Sequence, residues 1–187
     1  MRPLLHLAAD LDQFLRARGW RYCFIGGVAN QRWGRPRTTV DVDVTLLTGM
    51  GEEEGFIDDL LAHYPPRIPE ARSFALEHRV LLLQSPDGIG IDISLGAIAF
   101  EEKMVARATR FEFLPGISLP TCSAEDFIVL KAFADRSGDW LDIEGVLTRR
   151  QGDLDWDYIV SELTPLADLK EASHIVIRLQ RLREDHS

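Results

Sequence analysis

The stretch Thr-Val-Asp-Val-Asp-Val-Thr-Leu-Leu, residues 39–47, constrains this chain more than any other. Acidic and apolar residues alternate there at period two, the pattern of a strand with one face in a core. In such a strand residues i and i+2 point to the same side, ~6.6 Å apart along the axis. Asp41 and Asp43 therefore share one face, and Val40, Val42 and Val44 are expected on the other, in the core. Neighbouring carboxylates repel each other, so a cation is expected between them. A pair of Mg²⁺ ions, ~3.5–4 Å apart in two-metal sites, fits that span. From Asp-x-Asp alone, a solvent-facing strand with two surface acids is the simpler reading.

The residues upstream shift that balance. Gly26-Gly27 ends a β-rich run over residues 21–25 and precedes a short helix expected over residues 28–33. At a strand-to-helix turn, backbone N–H groups can approach phosphate oxygens with no Cβ in the way. A Gly-Gly pair by itself reads more simply as a tight turn. Arg32, Arg35 and Arg37 follow, an arginine-dense segment in a chain of formal charge −9. Arg37, Thr39, Asp41 and Asp43 fall on one alternating face. An anion-binding group beside a divalent-metal group suggests a metal-bound polyphosphate substrate. Asp92, in Gly-Ile-Asp-Ile-Ser-Leu, supplies a third acid if its strand neighbours residues 39–47. Three carboxylates can hold two ions and leave room for phosphate and water. Alone, Asp92 is an ordinary exposed strand residue.

Around this centre the chain alternates elements. Leu4, Leu7, Ala8, Leu11, Phe14 and Leu15 line one face of a helix over residues 3–18, stopped at Gly19. Another helix is expected over residues 52–63, ended by Pro65-Pro66. Residues 79–84 and 89–95 flank Ser-Pro-Asp-Gly and read as a β-hairpin; residues 109–114 and 117–119 read as a second. From Ser123, where Ser-x-x-Asp resembles a capping box, apolar periods over residues 127–134, 140–148, 156–163 and 175–182 predict helices. The expected plan is an α/β core over residues 1–120 and a C-terminal helical portion over residues 121–187.

At 187 residues and 45% hydrophobic, the chain is long enough for one domain with a helical appendage, and too apolar for wholesale disorder. The acidic balance argues against non-specific coating of nucleic acid. No apolar run approaches the ~20 residues of a membrane helix, and the N-terminal stretch meets Asp10 and Asp12 before a secretory segment could develop. Two distant cysteines, Cys23 and Cys122, point to a cytoplasmic location. Gly88-Ile89-Gly90 lacks the third glycine and the following helix of a dinucleotide fingerprint. The acids of residues 153–157 imitate a calcium loop but place Tyr158 at its glycine position; they read as a helix N-terminus.

Gly-Gly, a short helix, Arg-x-Thr-x-Asp-x-Asp and a later strand Asp together resemble the polymerase-β-type nucleotidyltransferase superfamily. The nearest resemblance is to the AbiEii-like branch, the nucleotidyltransferase toxins of type IV toxin–antitoxin systems. Gly26, Gly27, Arg37, Thr39, Asp41 and Asp43 match its first two elements, and Lys131 with Arg136, Asp139 and Asp142 looks like the third. The resemblance implies a nucleotidyltransferase-fold mixed sheet with flanking helices, two Mg²⁺ ions (or Mn²⁺), and a nucleoside triphosphate. An acceptor hydroxyl would attack the α-phosphorus and release pyrophosphate. Asp41 and Asp43 would bridge the metals. Asp92 would bind the metal nearer the acceptor and serve as general base. Gly26, Gly27, Arg37, Thr39 and Lys131 would hold the nucleotide. Arg136, Asp139 and Asp142 read equally as a structural ion-pair cluster, and Asp142 is expected to be structural. RNA (tRNA) or protein is the implied acceptor and an antitoxin the implied partner. The alternatives are transfer to a small antibiotic and a degenerate module that only binds.

Overall fold

The computed structural model describes residues 1–150 and 152–186. Its contacts group into two compact units. One joins residues 1–28 to residues 38–122; the other joins residues 29–37 to the chain from residue 123 onward.

The first unit is built on a six-stranded mixed sheet. In chain order its elements are α1 (Arg2–Ala17), β1 (Tyr22–Phe24), the first turn of α2 (Gly26–Trp33), β2 (Asp41–Leu47), α3 (Glu53–His63), α4 (Ala71–His78), β3 (Val80–Gln84), β4 (Gly90–Gly96), α5 (Ala99–Arg107), β5 (Thr109–Leu114) and β6 (Ile117–Thr121). The strands lie in the order β3-β4-β2-β1-β6-β5. Both expected hairpins form, as the antiparallel pairs β3/β4 and β5/β6. The pairing that matters most for the site is β2 with β4, which run parallel with Asp43 opposite Asp92. Alternation then sends Val42, Val44, Ile91 and Ile93 to the opposite face, where all four are fully buried with Leu81 and Leu83. Helix α1 packs on β2 and β6, and its apolar face (Leu4, Leu11, Leu15) joins the same core.

One expectation fails and two helices were not expected, each for an identifiable reason. Val40 is 73% exposed rather than in the core. The ladder begins only at Asp41, opposite Gly90, so residue 40 lies outside the strand whose alternation would have buried it. Helices α4 and α5 were not foreseen. Each buries only two side chains, Ala71 with Ala75 and Phe100 with Met104, which leaves too short an apolar period to read. Beneath α1, Asp12 accepts hydrogen bonds from the Tyr22 hydroxyl (2.5 Å) and both terminal nitrogens of Arg110 (3.1 and 2.9 Å). Burial, then the hydrogen bond to Asp12, holds the Tyr22 phenol well above its ordinary pKa.

The second unit is helical: the rest of α2 with α6 (Ala124–Ala134), α7 (Ser137–Arg150), α8 (Trp156–Leu169) and α9 (His174–Glu184). Helix α6 packs against the other three C-terminal helices, so it is apolar on nearly every side, and Asp126 and Lys131 are buried with its apolar residues. Ser123 caps it by accepting from the Asp126 N–H at 3.1 Å. Asp155 caps α8 through the Tyr158 N–H at 2.9 Å, which explains the acids of residues 153–157 without any ion. Cys23 and Cys122 are buried thiols. Among the described residues no helix is long and apolar enough to cross a membrane.

Candidate active site

Asp41, Asp43 and Asp92 converge. Each offers one carboxylate oxygen such that all three atoms lie within 4.8 Å of one another, and each residue is half-buried. The cause is register: Asp41 and Asp43 are two apart on β2, and Asp92 is the direct neighbour of Asp43 on β4. Unit charges ~4 Å apart repel by about 1 kcal/mol in bulk water and about 4 kcal/mol under the weaker screening near a protein surface. A fold that gathers three of them is suited to a cation.

The Gly-Gly turn serves these acids in a way the sequence did not show. Gly26 and Gly27 open α2 instead of preceding it. Gly26 has φ +51°, and a Cβ there would fall 1.9 Å from Asp43 Oδ2. A Cβ on Gly27 would fall 1.9 Å from Thr39 Oγ1. Both glycines are therefore needed to let the Asp43 and Thr39 side chains lie against the first turn of α2. The Gly27 N–H donates to Asp43 Oδ2 at 3.3 Å, placing a carboxylate at the positive end of the helix. Thr39 is buried, with its hydroxyl 3.5 Å from Asp41 Oδ1.

Arg67, which the sequence reading passed over, also reaches this group. Its Nη2 lies 2.7 Å from Asp92 Oδ1. That oxygen is buried yet has no hydrogen-bond donor, so the guanidinium sits beside it off the line of its N–H bonds: a charge contact, not a hydrogen bond. Nothing in the segment Pro-Pro-Arg-Ile-Pro signals this contact, because it depends on a strand 25 residues further along.

Arg37 and Lys131 are brought together on Asp142, within the helical unit. The Lys131 ammonium contacts Asp139 Oδ1 at 2.7 Å and Asp142 Oδ2 at 2.9 Å. Arg136 holds Asp139 (2.6 Å), and Arg37 grips Asp142 with two hydrogen bonds (2.9 and 3.0 Å). The result is a chain of alternating charges, Arg136–Asp139–Lys131–Asp142–Arg37. Burial raises the pKa of both carboxyls, but the hydrogen bonds outweigh it. Arg136 and Lys131 hold Asp139 below its ordinary value, and Arg37 and Lys131 do the same for Asp142. Lys131 is buried because α6 is packed against three helices, and a buried lysine needs carboxylates.

No protein-family model and no curated protein matches the chain. Solved structures do. A nucleotidyltransferase-like antigenic protein from Paracoccidioides brasiliensis is similar over 97% of this chain and 89% of its own, at 16% identity and a TM-score of 0.51. The antibiotic-resistance factor ANT(2'')-Ia is similar over 95% of this chain and 92% of its own, at 19% identity and a TM-score of 0.50. The chain has the nucleotidyltransferase fold. On this nucleotidyltransferase fold the converging acids sit where two parallel central strands begin, on the face away from the core. The donor set suits a hard divalent cation: all oxygen, all carboxylate. The Asp92 carboxylate also has an oxygen, Oδ1, that is buried without a hydrogen bond, so this acid has coordination capacity that no donor takes up.

Proposed function

We propose that the chain is a divalent-metal-dependent nucleotidyltransferase, moving a nucleoside monophosphate from a nucleoside triphosphate to an acceptor hydroxyl. The observation that carries this reading is the convergence of Asp41, Asp43 and Asp92 within 4.8 Å on adjacent strands, since a merely nucleotide-binding module has little use for three gathered carboxylates. Mg²⁺ or Mn²⁺ bound there would neutralise triphosphate charge and lower the pKa of the attacking hydroxyl. Asp41 and Asp43 would hold both ions, and Asp92 would hold the one nearer the acceptor and accept the proton of the acceptor hydroxyl. As the acceptor oxygen bonds to the α-phosphorus, the bond to the bridging oxygen breaks and pyrophosphate leaves. Gly26, Gly27 and Thr39 line the approach of the phosphates to Asp43. The assignment of Arg37 and Lys131 to the triphosphate rests on the resemblance; a phosphate there would compete with Asp139 and Asp142 for them.

The resemblance to AbiEii-like toxins supports RNA (tRNA) or protein as acceptor, with a cognate antitoxin as partner. The likeness to ANT(2'')-Ia supports a second reading, transfer to a small hydroxylated antibiotic. The test incubates purified protein with Mg²⁺, each α-phosphate-labelled nucleoside triphosphate, and RNA, protein or aminoglycosides as separate acceptors. Label on RNA or protein that is lost in Asp43→Asn supports the toxin-like reading; label on a drug moves it to resistance. Label that persists in Asp43→Asn removes the metal-site assignment. No label on any acceptor, with no nucleotide bound in calorimetry, leaves a degenerate module.

A further inference from the structure

Arg67 has no part in the reaction as proposed, yet its placement is specified twice over. Its backbone is fastened to the sheet edge. The Arg67 N–H donates to Leu82 O and the Gln84 N–H to Pro65 O, both at 2.9 Å, and Pro66 bridges to Leu83. Residues 65–67 thus extend the sheet beyond β3. Because Leu82 is opposite Asp92 and Asp92 is opposite Asp43, one cross-strand row runs Arg67–Leu82–Asp92–Asp43. The side chain follows this row to the acids. The second observation is Gly90, where a Cβ would fall 2.5 Å from Arg67 Nη1 and 3.4 Å from the Asp41 Cβ. Gly90 is not among the glycines with positive φ, so its backbone does not require glycine. What the missing side chain provides is a seat for the guanidinium, between Asp41 and Asp92.

We propose that Arg67 is the resident counter-charge of the acid cluster: it holds Asp92 while no divalent ion is bound and yields the carboxylate when an ion takes it. The contact is suited to release, being electrostatic without an aligned hydrogen bond and about one-third exposed on the arginine side. A guanidinium 2.7 Å from Asp92 Oδ1 and a divalent ion on the same carboxylate repel each other, so each weakens the other's hold on it. Affinity for the ion at Asp92 is therefore set by competition, and the tethered backbone of residues 65–67 keeps the competitor at hand. This inference rests on the metal-site reading above.

The test is a Mn²⁺ titration of the full chain, followed by the electron paramagnetic resonance of free Mn²⁺, in wild type, Arg67→Gln, Gly90→Ala and Asp43→Asn. Gly90→Ala displaces the guanidinium without removing its charge, and carries the test if Arg67→Gln fails to fold. Both variants are expected to bind Mn²⁺ about fivefold more tightly, the size of a partly exposed ion pair that no longer competes. Unchanged affinity in both variants, with binding still lost in Asp43→Asn, overturns this proposal and leaves the metal site standing. Weaker binding in Arg67→Gln also overturns it, making Arg67 a support for Asp92. Mn²⁺ bound equally by wild type and Asp43→Asn, or by neither, overturns the metal-site reading and this proposal with it.

Discussion

In the helical unit two buried carboxylates, Asp139 and Asp142, alternate with three cations. In the sheet unit three carboxylates gather within 4.8 Å, with Arg67 seated on the last of them. The motif-bearing residues of the sequence divide between these assemblies, which follow different physical rules. A chain of alternating charges leaves neither carboxylate without a cation, and so lets a lysine and two aspartates be enclosed together. A gathering of like charges costs stability until a cation arrives. On the function proposed above, the contrast separates charge that holds helices together from charge gathered for an ion, although both sets look alike as letters.

The sharpest way to break the comparison is to remove the centre of the alternating chain. Lys131→Met leaves Asp139 and Asp142 enclosed without their shared cation. It is expected to cost about 3 kcal/mol, the low end for a broken buried pair because Arg136 and Arg37 remain. Urea denaturation followed by tryptophan fluorescence would measure it, and a loss below a few tenths of a kcal/mol would mean the chain of charges is dispensable. Acid should act on the same assembly more gently. Asp139 and Asp142 have folded pKa values below ordinary. Their stabilisation is therefore complete above the unfolded carboxylate value of ~3.9 and is lost as pH falls through the lowered folded values. Melting temperatures of wild type and Asp142→Asn should converge across that range; a constant gap would contradict the assignment. The smallest effect has the opposite sign. Asp41→Asn, measured in chelator, should raise stability by about 0.5–1 kcal/mol by relieving repulsion. Added Mg²⁺ should erase that advantage by stabilising wild type alone. A neutral substitution that destabilises the metal-free protein would show the acids to be structural.

Much of this was written in the sequence, and what was missing follows a pattern. The period-two alternation on β2 and β4 exposed both strands and the three acids, because alternation is a local property. The pairing of Asp43 with Asp92 could be stated only as a condition, since register between strands is set by tertiary packing. Gly26 and Gly27 were legible as a turn, but not their true partners, the side chains of Asp43 and Thr39. Arg67 left no trace, as its role depends on Gly90 lacking a side chain two strands away. Lys131 was visible as a motif residue, whereas its enclosure reflects a helix packed on several sides. Val40 was misplaced because alternation does not say where a ladder starts.

The division of the chain also has a consequence for the order in which it is made. Residues 29–37 leave the ribosome between two segments of the sheet unit, but belong with helices that come later. Arg37 waits for Asp142, 105 residues further on, which at ~5–20 residues per second is about 5–20 seconds of elongation. A nascent chain paused after β6 would hold every strand of its sheet and still carry this arginine-rich segment without its partners. Residues 29–37 therefore meet the helices they pack with only late in synthesis.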